Sequence, residues 1–171
     1  MHIISPAPAV HAPVELASET ALRMAEAASI FLASLDEKKR KQAQLGLENE
    51  YRRQWDYRPG QRPGVLLKEL DSAQQKLAYA LLASGLSMQG NEKALMIMGL
   101  EAVLAKLEGS GGGFSRDPDI YYIAVFGSPV DEKPWGWRIE GHHLSVNFLV
   151  VAGRHIAPTP NFFGANPARV P

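Results

Sequence analysis

Thirteen residues, 135–147, gather most of the side chains in this sequence that could do chemistry: Trp135, Trp137, Arg138, Glu140, His142, His143, Ser145 and Asn147. Read as part of one long strand over 135–151, they alternate between two faces. One face carries Trp135, Trp137, Ile139, Gly141, His143, Ser145 and Asn147. The other carries Arg138, Glu140 and His142, then the apolar series Leu144, Val146, Phe148 and Val150. On this reading the two histidines point to opposite sides, unless a bulge at Gly141 resets the register.

Each face suggests a chemistry. Arg138, Glu140 and His142 sit at i, i+2 and i+4, about 7 Å apart along a strand, a spacing that can pass charge from guanidinium to carboxylate to imidazole. A neighbouring carboxylate fixes the tautomer of a histidine, which suits a general base or a metal ligand. His142 and His143 are thus the candidate catalytic groups, with Glu140 orienting and Arg138 supporting. Trp135, Trp137, Ser145 and Asn147 read as a ligand wall with hydrogen-bonding groups. Each reading has a structural rival: an ion-pair ladder for the first face, and core packing for the tryptophans. A divalent metal on His142 or His143 would need a further ligand such as His155, Glu140 or Asp117. No H-E-x-x-H or H-x-x-E-H spacing is present. Ser145 lacks the Gly-x-Ser-x-Gly elbow of a hydrolase nucleophile.

A second candidate lies in 48–64, which brings Arg52, Arg53, Arg58 and Arg62 together with Trp55 and Tyr57. Guanidinium forks and aromatic faces there could clamp a small anionic or aromatic ligand, with Arg53, Arg62 and Trp55 as contacts. The same arginines could equally tie the loop to the body through backbone carbonyls.

Elements must position these groups. Helices are predicted over 14–35, 36–47 with Asp36 as N-cap, 68–85 with Asp71 or Ser72 as cap, and 91–108. Leu16, Leu22, Ile30, Phe31 and Leu35 read as the buried stripe of the first. The Gly-rich run 108–118 reads as a connector, since no Lys-Ser/Thr follows as in a phosphate loop. Strands are predicted over 119–127, 135–151 and 154–157, with Ala152-Gly153 as a tight turn, and the tail as Pro-punctuated coil. Helices first and strands after predict an α+β fold, with about four helices on an antiparallel meander of about three strands. Residues 1–13 read as a flexible lead-in to a single domain over 14–171.

Composition narrows the function classes. With 18 basic and 18 acidic side chains, the chain lacks the basic excess of a nucleic-acid binder. No cysteine is present, which excludes disulfides, thiolate metal sites and a cysteine nucleophile. The N-terminus does not read as a signal peptide, so a cytoplasmic location is the expectation, and no run is long enough to span a membrane. A small-molecule ligand is the expected partner. Oligomeric state has no signature.

Four motifs in order resemble one family: "RRQWDYRPGQRPGVLLKEL", "SAQQKLAYALLASGLSMQG", "YYIAVFGSPVDEKPWGWRIEGHHLSVNF" and "TPNFFGANPARV". Together they are similar to the domain-of-unknown-function 3500 family of bacteria and fungi, over residues 30–171. The resemblance implies kinship without an activity. Both candidate regions fall on its motif positions, including Arg53, Trp55, Arg62, Trp137, Glu140, His142 and His143. It also implies that this chain corresponds to the N-terminal part of a longer domain.

Overall fold

The computed structural model describes residues 14–109, 113–131 and 133–169, so the proposed lead-in 1–13 lies outside the described residues. Four helices come first: α1 (Val14–Ser34), α2 (Glu37–Ala43), α3 (Ser72–Gly85) and α4 (Met88–Glu108). Strands β1 (Gln44–Leu45) and β2 (Val65–Leu66) lie between α2 and α3. After α4 come β3 (Tyr121–Phe126), β4 (Trp135–Gly141), β5 (Leu144–Val151), β6 (His155–Ala157) and β7 (Phe162–Phe163). The architecture is α+β, as the order of patterns implies.

Local chemistry sets the helix ends. Asp36 caps α2 by accepting from the Lys39 amide. Asp71 and Gln74 form a reciprocal capping box on α3. Ser87 caps α4, which therefore begins three residues before the predicted position. α2 ends early because Gln44 and Leu45 leave the helix to pair in parallel with Val125 and Phe126 of β3.

The sheet runs β1-β3-β4-β5-β6, with β2 against β3 and β7 against β5, and is antiparallel apart from the β1 pair. Two predicted features differ. The tail is not all coil: β7 pairs Phe163 with Leu144. More consequentially, 135–151 is not one strand but a hairpin, β4 and β5, turning at His142 and His143. Ala152 and Gly153 do form the next tight turn, both with left-handed φ, at 51° and 61°.

The hairpin reassigns the faces. Trp135, Trp137, Ile139 and Gly141 pair with Val150, Phe148, Val146 and Leu144, so the tryptophans share a face with the apolar series. That face packs on Met24, Phe31, Leu81 and Leu82 of α1 and α3. Arg138 and Glu140 pair with Asn147 and Ser145, and form the opposite, polar face. The stripe expected on α1 is also corrected. Leu22 and Ile30 are 69% and 48% exposed, while Ala21, Met24, Ala28, Phe31, Leu32 and Leu35 are buried. The side chain of Leu16 lies outside the described residues.

Candidate functional site

Two polar clusters flank the end of the hairpin. The first is the polar face itself. Arg138 is 1% exposed and reaches out of β4 into the 48–64 segment. One terminal nitrogen donates to the carbonyl oxygens of Tyr51 (2.9 Å) and Gln54, the other to that of Arg52 (3.0 Å). Its Nε donates to Oδ1 of Asn147, and the guanidinium lies 4.6 Å over the Tyr51 ring. Glu140 is fully buried beside it. The carboxylate accepts from Tyr51 Oη (2.8 Å), Arg62 Nε (2.8 Å) and Ser145 Oγ (2.7 Å), and stands 3.7 Å from Arg138 Nε. Burial, and then the Glu140 charge, push the Tyr51 hydroxyl pKa well above its usual value.

Arg62 completes this lock. Besides Glu140, it donates to the carbonyls of Asp56 (2.9 Å), Arg58 (2.5 Å) and Gly60 (2.8 Å). Asn147 does the same for the tail, donating to Pro160 O (2.5 Å) while its amide donates to Asn161 Oδ1 (2.7 Å). Arg138, Glu140, Arg62, Ser145 and Asn147 therefore bind chain segments to the sheet through a fully connected network.

The second cluster borders a cleft of about 300 Å³ at the turn, lined by residues 59–62 of the loop, Glu101, Phe114, Ser115, Ile120, Tyr122 and His142. His142 and Glu101, which rises from α4, are 8% and 4% exposed. Oε1 of Glu101 meets Nδ1 of His142. Arg116 Nη1 also lies 3.3 Å from that nitrogen, but one ring nitrogen cannot donate and accept at once. A carboxylate only accepts, so Nδ1 carries the hydrogen and donates to Glu101, and Nε2 is left as the ring's acceptor in the neutral form. Arg116 grips both oxygens of Glu108, at 2.8 and 3.0 Å, and stands 3.9 Å from Glu101 Oε2. That hydrogen-bonded guanidinium holds the Glu108 carboxyl below the usual carboxylate pKa.

His143 occupies the second turn position with φ of 58°. Its amide donates to Tyr57 O and its carbonyl accepts from the Gly164 amide, both at 2.8 Å. The ring lies 4.3 Å from that of His142, edge to face. Its Nδ1 is buried without a hydrogen-bond partner among the described residues. Burial, followed by His142 and Arg116, lowers its pKa.

Among the sequence candidates, His142 and Arg62 line the cleft, and the His143 ring stands next to that of His142. Trp135 and Trp137 face the helices at 3% and 1% exposure, on the opposite side of the sheet from Ser145 and Asn147. Arg53 is an exposed partner of Glu48 at 3.8 Å. Trp55, 42% exposed, packs 5.7 Å from Phe162. The expected Arg138–Glu140–His142 relay is not formed. Glu140 turns to the loop, while His142 turns to Glu101. Two groups have no counterpart among the sequence candidates: Glu101, which lines the cleft, and Arg116, which stands behind it. The signal for Glu101 was there: it falls in register with Ala94, Ile97, Met98 and Leu104 on the buried stripe of α4.

No group of three or more His, Asp or Glu side chains among the described residues is arranged to hold a metal ion. Of the ligands considered, Asp117 pairs with Lys68 at 2.6 Å, and His155 is exposed on β6. No described helix is long and apolar enough to cross a membrane.

The family model described as a protein of unknown function (DUF3500) matches residues 17–171. The chain belongs to the DUF3500 family. No curated protein and no solved structure gives a significant match. In this DUF3500 chain, the W-x-W-R-x-E-G-H-H-x-S-x-N stretch reads residue by residue: tryptophans to the core, Arg, Glu, Ser and Asn to the loop lock, and the histidine pair to the turn. Gly141 completes it, since a Cβ there would run into the Tyr121 ring and lie 2.9 Å from Ile120 O.

Proposed function

We propose that the cleft beside the His142–His143 turn binds a small organic ligand, and that His142 accepts a proton from it through Nε2. This is an acid–base site in which Glu101 fixes the imidazole and Arg116 steadies the carboxylate. One observation carries the reading: a nearly buried carboxylate–imidazole pair forms the wall of a cleft of small-ligand size. Arg138 and Glu140 take an architectural part here, because their hydrogen-bonding capacity is taken up by the loop and by Asn147 and Ser145 of β5. No metal is required by this scheme.

The test is a nitrogen-15 NMR measurement of the His142 ring with a ligand-observed fragment screen on the same protein. The neutral ring is expected to carry its hydrogen on Nδ1. Fragment hits are expected to compete for one site and to disappear in His142→Gln. A neutral ring protonated on Nε2, or hits indifferent to His142→Gln, would remove His142 from this role.

A further inference from the structure

The charged groups around the cleft are already partnered, and this restricts what can enter. Arg62 is the one guanidinium among the described lining residues, and it is engaged by Glu140 and by three backbone carbonyls at 2.5–2.9 Å. Arg116 stands behind the wall, held by Glu108 and turned toward Glu101. Neither offers a free fork to an incoming carboxylate or phosphate. Three guanidiniums, Arg62, Arg116 and Arg138, face three carboxylates, Glu101, Glu108 and Glu140, so these charges cancel when the imidazole is neutral and none of the cations is left over for an incoming anion. The rest of the wall combines apolar surface from Pro59, Phe114, Ile120 and the ring of Tyr122 with the neutral polar residues Gln61 and Ser115.

The geometry points to a ligand class: an uncharged or cationic small molecule with an apolar ring and a hydroxyl or amine, to the exclusion of anions. The inference rests on the binding role proposed above and names the chemistry that suits it. A hydroxyl can donate to His142 Nε2, and an ammonium can meet Glu101. An anion would be desolvated beside Glu101 with no unengaged cation to replace its water.

Benzyl alcohol, benzylamine and benzoate share a ring and differ in charge. Each is titrated into the full chain while the His142 imidazole resonances, assigned through His142→Gln, are followed. The alcohol and the amine are expected to move these resonances with dissociation constants roughly tenfold or more below that of benzoate. Glu101→Gln is expected to weaken benzylamine more than benzyl alcohol. Benzoate binding as tightly as the other two would overturn the charge selectivity and leave the binding role standing. No shift with any probe at its solubility limit would overturn both.

Discussion

Glu101 holds Nδ1 of His142 across forty-one residues of chain, fastening α4 to the β4–β5 turn. Both side chains are nearly buried, at 6% and 9% exposure. Glu101→Ala would leave the imidazole and Arg116 facing an unpaired space, and the expected loss of folding stability is about 3–5 kcal/mol. Glu101→Gln keeps an acceptor and should cost about 1–2 kcal/mol. Urea denaturation measures both. An alanine variant no worse than an ordinary surface substitution would contradict the pairing.

Glu140 and Arg62 should behave as one unit. Each contacts the other and a further set of groups in the loop lock. In a double-mutant cycle with Glu140→Ala and Arg62→Ala, a coupling of about 1–3 kcal/mol is expected. Additive single effects would mean that the 2.8 Å contact carries no energy.

His143 gives stability a pH dependence. Its pKa in the folded chain lies below the ordinary 6.5, by burial first and then by His142 and Arg116. The unfolded chain therefore takes up this proton at higher pH than the folded one. The contribution of the neutral ring is complete above about pH 6.5, declines as pH falls through that value, and stops declining below the folded pKa. Urea midpoints at about pH 7.5 and 5.5 bracket the window. His143→Asn tolerates the left-handed turn position and should flatten the difference. An unchanged pH response in that variant would point to another group.

Gly64 joins the Arg62 lock to β2 under double constraint. Its φ is 119°, and an added Cβ would lie 2.7 Å from the Ile123 carbonyl oxygen. Gly64→Ala is expected to cost about 2–4 kcal/mol, because strain and backbone collision combine. Gly60→Ala, where a Cβ meets nothing within 4 Å, should be near neutral. Equal thermal shifts for the two would refute the difference.

The helix-then-strand order was legible because caps and composition act locally: Asp36 and Asp71 cap where their types imply. The hairpin was not. Two-residue turns are usually marked by Asn-Gly or Asp-Gly, whereas His142-His143 carries no such mark, and β-rich sequence continues on both sides. One hidden turn transposed every face assignment after Gly141. The candidate site suffered for the same reason. Glu140 and His142 look adjacent in sequence, but Tyr51 and Arg62 engage one, while Glu101 engages the other. Such partners are set by tertiary packing, which spacing along a strand does not encode.

The hydrogen bonds that pin the loop to Arg138 and Glu140 have a kinetic corollary. They bridge 78–89 residues of chain. Contacts so remote in sequence pay a large closure entropy, so they form after more local pairings exist to receive them. In refolding with pulsed deuterium labelling, amides of β4 and β5 should gain protection before those of 51–62, and early protection of the loop would reverse that order. On that order the β4–β5 hairpin forms before the aromatic, arginine-rich segment is fastened over it, and Arg138 and Glu140 act as the clasp that closes last.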